Sequence, residues 1–264
     1  MLCFYPGRFL WYGFYAQQKG AFIVSHLHFP DGVLPLWLVG LGIGLTILII
    51  ALISAKLKGE GEGEGEGEGE GDLARKTSTL AVISALMIVA MSIPMGFIHY
   101  HINLTVLVAL LAGPWLAFLS VFVVNFLLSL IGHGGITVVG LNTLVLGSEV
   151  FLAAMFFPVF RRLFKPLIAV FTTTLSVLIL SNVFAAFIIF LSTLSLETVE
   201  VTAYVEAGQQ LMAGIPGWLL GSILVMVLVG GTIEAGVIAF ILSYLRRVRP
   251  ELVKNIFGEK DEAA

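Results

Sequence analysis

The sequence predicts an all-α, polytopic membrane protein with about seven transmembrane helices, one short broken pair among them. The N-terminus is expected outside and the C-terminus inside. Three observations carry this: the composition, the lengths of the apolar stretches, and the placement of the basic residues. The 264 residues are 58% hydrophobic and 12% charged, with a mean hydropathy of +1.02. A soluble domain is roughly half apolar and about a quarter charged, so there is too little charge here to coat one. Six of the 17 acidic residues also fall in a single low-complexity run, which leaves the remainder poorer still. The net charge of −3 leaves no basic face to follow phosphates, which excludes nucleic acid as a partner. The single cysteine, Cys3, excludes a disulfide framework and any cysteine-rich zinc or iron–sulfur site.

A bilayer core about 30 Å thick needs roughly 20 apolar residues per helix. Val33–Ala55 meets this without a charge, and Thr77–Ile98 meets it with Pro94 near its far end. Val138–Phe160 carries only Glu149, and Trp218–Leu245 carries only Glu234; Pro166–Leu194 is long enough to tilt. The stretch Ile102–Ile131 is too long for one upright helix and too short for two full ones, and Gly113-Pro114 sits near its middle. Read as two short helices, it gives seven spans. Lys56, Lys58, Arg75, Lys76, Arg161, Arg162, Lys165, Arg246, Arg247, Arg249, Lys254 and Lys260 then share the inner side, with only Arg8 and Lys19 outside. A single long span would scatter these clusters across both faces, against the positive-inside rule.

The same topology gathers all five histidines, His26, His28, His99, His101 and His133, at the outer surface, in connections or at helix ends. Imidazoles collected at one face point to a metal site; the plainer alternative is that loops and interfaces simply tolerate histidine. Residues 59–71 alternate Gly and Glu and can bury nothing, so they read as a disordered cytoplasmic linker. Residues 196–212 form a polar outer loop, either along the surface or over the site. Residues 1–26 are an aromatic, interrupted extension that suits neither a signal peptide nor a span. The membrane domain is expected over 27–253 and a cytoplasmic tail over 254–264.

His28-Phe29-Pro30-Asp31-Gly32 resembles the Met-His-Ile-Pro-Asp-Gly opening of the CbiM/NikM family. That family comprises substrate-binding membrane subunits of energy-coupling-factor importers for cobalt and nickel. His101 stands twelve residues before Gly113-Pro114-Trp115, and Gly132-His133-Gly134-Gly135-Ile136-Thr137 is followed by Gly140-Leu141-Asn142. Glu234 precedes a last helix ending Val248-Arg249-Pro250-Glu251-Leu252, and the resemblance runs from about Leu27 to Val253.

The resemblance implies a Co²⁺ or Ni²⁺ site that uses the chain's own N-terminus. The α-amine, the next amide and the second-position imidazole supply three nitrogens, and a further imidazole closes a planar set suited to late transition metals. Carried over, His28 is the second-position histidine, His101 closes the set, and the amine is that of Leu27. This chain begins 26 residues earlier, and three explanations stay open: translation beginning at Leu27, removal of a leader, or replacement of the amine by His26 or His99. The first is favoured because residues 1–25 fit no structural role. His133 either orients a ligand or packs in a tight loop. Asp31 is expected to accept backbone N–H groups, and Asn142 to bond backbone near the broken pair.

Glu149 and Glu234 are costly inside apolar spans and either have a task or are hydrogen-bonded packing residues. Met87, Met91 and Met95 share a helix face and read as packing in preference to a soft-metal track. The chain lacks a Gly-x-x-x-x-Gly-Lys-Ser/Thr loop, so it is not expected to be an enzyme hydrolysing ATP. The resemblance implies three partners: a transmembrane coupling subunit, an ATP-binding subunit and a small membrane accessory subunit, the last expected as a separate chain. No prosthetic group is expected, and the location is the cell membrane. The alternatives are an intramembrane metalloenzyme, which lacks a His-Glu-x-x-His pair here, and a secondary ion-coupled transporter.

Overall fold

The computed structural model describes residues 28–63, 68–93, 101–194 and 217–258. Among them every regular element is helical: α1 (Leu36–Gly63), α2 (Glu68–Ser92), α3 (Thr105–Ala112), α4 (Pro114–Leu130), α5 (Val139–Leu163), α6 (Pro166–Leu194) and α7 (Gly217–Val248). A 3-10 turn (Pro250–Leu252) and a last short helix, α8 (Lys254–Phe257), follow. Among the described residues four helical stretches are long and apolar enough to cross a membrane: Leu36–Leu57, Val139–Leu163, Pro166–Ser192 and Leu228–Val248. Leu80–Ser92 and Pro114–Leu130 are shorter apolar helices.

α5 is the central helix, packed against α1, α3, α4 and α6, while α7 packs on α6. The interior joins Met87 and Met91 of α2, Val106 and Leu107 of α3, Val121 and Val124 of α4, Leu146 and Val150 of α5, and Ile238 and Leu242 of α7. Met87 and Met91 are therefore packing residues; Met95 lies outside the described residues. Large apolar side chains also face outward, among them Leu41, Ile47, Leu48 and Leu52 of α1 and Val183 and Phe187 of α6. In water such a surface would aggregate, whereas lipid is its natural solvent. This is a multi-pass membrane protein.

The stretch 102–131 breaks where the sequence predicts, with Pro114 in the first position of α4 after Gly113. Its first half differs from expectation. α3 has eight residues and is about 12 Å long, too short to span. Residues 101–104 above it are non-helical, and together they take the chain inward. The turn at Gly113 approaches the far end of α1, where Lys56 Nζ lies 4.5 Å from the Trp115 ring centroid. α4 then returns, so His101 and His133 meet again at one end, with ring centroids 4.9 Å apart. The pair is a hairpin that starts and finishes at the same end, which keeps the parity on which the charge argument depends.

Two boundaries shift. α1 continues to Gly63 and α2 starts at Glu68, so both ends of the Gly/Glu run expected to be a disordered linker are helical. Extending an existing helix avoids the nucleation cost, and glutamate is a good helix former even where glycine is poor. The domain boundary expected at 253 also falls inside a packed region. Ile256 and Phe257 are buried, and Arg161 of α5 donates from Nε to the Ile256 carbonyl and from Nη2 to the Phe257 carbonyl, both at 3.1 Å. Arg246 of α7 stacks over the Phe257 ring, so the packed body continues to about Gly258.

Candidate metal centre

Three histidines from three separate connections meet at the end of the bundle where α5 begins. His28 precedes α1, His101 precedes α3, and His133 lies between α4 and α5. The His133 ring stands between the other two, edge-on to His28 at 5.2 Å and to His101 at 4.9 Å. Imidazole nitrogens bind transition metals at about 2.0–2.1 Å, and these three rings are neighbours in space. They form a chain of rings and do not surround a point. Among the described residues no three His, Cys, Asp or Glu side chains are arranged to hold a metal ion. His26, Leu27 and His99 lie outside the described residues.

Local chemistry fixes each histidine. α4 ends in a Schellman motif: His133 N–H donates to the Leu128 carbonyl at 2.9 Å and Gly132 N–H to the Ser129 carbonyl at 3.1 Å. Gly132, at φ 84°, occupies the left-handed position that this motif gives to glycine. Burial pushes the His133 imidazole below its usual pKa of 6.5, towards the neutral form that can bind metal. Its Nε2 is buried and has no hydrogen-bond partner among the described residues. A buried imidazole nitrogen without a donor or acceptor opposite it is a costly arrangement, and a cation would resolve it.

The His28 segment is clamped onto the start of α5. Asn142 accepts from Phe29 N–H at 2.8 Å and returns its amide to the Phe29 carbonyl at 3.2 Å, as an adjacent strand would. The same carbonyl accepts from Gly135 N–H at 3.0 Å. Asp31 is not a ligand in this arrangement. Its carboxylate accepts Ile136 N–H at 3.1 Å, Thr137 N–H at 2.8 Å and the Thr137 hydroxyl at 2.5 Å. It therefore ties the first connection to the loop carrying His133. Asn142 bonds backbone as expected, though to the first connection and not to the broken pair. Phe29, Leu34 and Leu38 anchor the same segment against Leu141, Val145 and Ile188.

The His101 segment is held from below. Asn103 donates from Nδ2 to Glu149 Oε2 at 2.7 Å, and Ser181 of α6 donates to Glu149 Oε1 at 2.6 Å. Leu104 N–H donates to Glu234 Oε1 at 3.2 Å, and Thr105 N–H to Asn103 Oδ1 at 2.9 Å. Asn103, Glu149 and Glu234 are fully buried. Irregular backbone at membrane depth requires such protein partners, so both carboxylates have a task. Sequence reasoning missed Asn103 and Ser181. For Asn103 the available signal was a polar residue two positions after a candidate ligand in an otherwise apolar stretch.

Comparison with known proteins identifies the fold and the family. The chain shares its fold with two crystal structures, each at 17% sequence identity. One is of a truncated transition metal transporter, with a TM-score of 0.65 over 84% of this chain and 99% of that one. The other is of a transition metal transporter, with a TM-score of 0.66 over 89% and 99%. Comparison with curated proteins finds no match. The CbiM family profile, described as the cobalt uptake substrate-specific transmembrane region, matches residues 28–252. It thus spans all three connections that bring the histidines together, and this chain belongs to the CbiM family.

Proposed function

We propose that this protein is the substrate-capture subunit of an ATP-driven importer of Co²⁺ or Ni²⁺, binding the cation at its outer face. Metal transport itself follows from membership of a cobalt-uptake family. The observation that carries the finer reading is the meeting of His28, His101 and His133 at one end of the bundle. His28 and His101 serve as ligands, with the amine of Leu27 completing the nitrogen set where Leu27 is the mature N-terminus. His133 orients the pair or joins it, and His26 and His99 are the reserve ligands. Nitrogen donors of this kind select late transition metals over Mg²⁺ and Ca²⁺, which prefer oxygen.

The basic clusters define the opposite end. α5 runs about 37 Å from the histidine connections to Arg161 and Arg162, and Arg161 there meets the C-terminal turn. With that end inside, the site opens outward. The energy for uptake comes from a transmembrane coupling subunit and an ATP-binding subunit, with a small accessory membrane chain. The chain's own chemistry is capture, not catalysis.

Metal content by mass spectrometry tests this on two purified forms, the full sequence and one beginning with Met in place of Leu27. Stoichiometric nickel or cobalt in the short form alone supports the N-terminal ligand. Metal in both replaces the amine by another donor, with His26 and His99 the first to substitute. Metal in neither overturns the site.

A further inference from the structure

We propose that Glu234 and Glu149 are positioning residues for His101, clamping from two helices the strained segment that carries it. This rests on the reading of His101 as a metal ligand. Leu104 is the one non-glycine residue with positive φ among the described residues, at φ 58° and ψ 16°. Such a backbone persists only where its surroundings over-determine it. Its surroundings here are two buried carboxylates.

Glu234 of α7 accepts the Leu104 N–H, and Glu149 of α5 accepts the Asn103 amide, whose own oxygen accepts the Thr105 N–H. Three consecutive residues are thereby fixed, beginning two positions after His101. Relaxing Leu104 to ordinary helical φ turns the chain by roughly 120°. That turn swings the upstream segment and takes His101 off the His133 ring. A carboxylate at membrane depth is expensive, and here one holds the Leu104 backbone N–H and the other the Asn103 side chain beside it. Glu234 also links the site to α7, whose basic end lies far from the histidines. A displacement of α7 is therefore felt at the ligand segment through the Leu104–Glu234 hydrogen bond.

The test uses the full chain in detergent. It compares Ni²⁺ titration, Ni²⁺ and Co²⁺ ligand-field absorption, and the thermal midpoint of the metal-free protein. Glu234→Leu is expected to weaken metal binding by about tenfold or more and to shift the absorption. Glu234→Gln keeps an oxygen for the Leu104 N–H and is expected to bind and absorb as the parent does. Asn103→Ala, which releases the segment from Glu149, is expected to follow Glu234→Leu. Parent-like affinity and absorption in Glu234→Leu overturns the proposal. Where Glu234→Leu does not accumulate folded, parent-like binding by Asn103→Ala overturns it instead. A parent protein that binds neither metal overturns the site reading itself, a result distinguishable from loss of the positioning role alone.

Discussion

Asn142 shows how one side chain can take the place of a secondary-structure element. Its amide offers one acceptor and one donor to the backbone of Phe29, next to His28, and so replaces the strand that this segment lacks. Net hydrogen-bond contributions of about 1 kcal/mol each put Asn142→Ala near 2 kcal/mol. If that energy is spent in holding His28, metal affinity falls ~30-fold; isothermal titration with Ni²⁺ checks this, and unchanged affinity would free His28 from dependence on the clamp. The histidines could be read from sequence because their rarity and shared membrane side are one-dimensional facts. Asn103 and Ser181 could not, because their meaning lies in Glu149, 46 and 32 residues away. Asp31 was legible as a backbone acceptor, but its partners, 105 and 106 residues on, were not.

At the scale of elements, the α3–α4 hairpin shows what hydropathy sees and what it misses. Thirty apolar residues with Gly-Pro in the middle gave the break. They did not show that the inward limb begins with four residues of irregular backbone, because buried carboxylates from α5 and α7 supply what an intact helix would have supplied itself. The Gly/Glu run misled in the other direction, since its composition concealed that the flanking helices propagate into it. α1 and α5 meet almost backbone to backbone. A Cβ on Gly140 would lie 2.7 Å from Gly42 and Ile43 main-chain atoms, while Thr46 donates to the Gly140 carbonyl at 3.0 Å. Small residues at such crossings permit the approach that holds membrane helices together. Gly140→Ala must push main chain apart and is expected to cost about 1–3 kcal/mol. The check is a lowered thermal midpoint in detergent, together with loss of metal-dependent stabilisation.

For the whole molecule, the described residues show histidines at one end, basic residues at the other and apolar side chains around the girth, with the buried carboxylates Glu149 and Glu234 beneath the His101 segment. The positive-inside rule predicts the orientation, with the histidine end outside and the basic end inside. Replacing Cys3 with Ser and placing single cysteines at Ile131 or Lys165 tests it directly in intact cells. A membrane-impermeant thiol reagent is expected to label position 131 and to spare 165; the reverse pattern would invert the topology. The close crossing at Gly42 and Gly140 has a mechanical consequence. With Gly140 against the Gly42–Ile43 main chain and Leu141 packed on Gly42, α1 has little room to slide or roll on α5, and His28 and His133 belong to one stiff jaw. The opposing jaw carries His101 on a kinked stalk that rests on hydrogen bonds. On the proposed reading, a cation held between them would leave by the side that can yield, the non-helical segment 101–104.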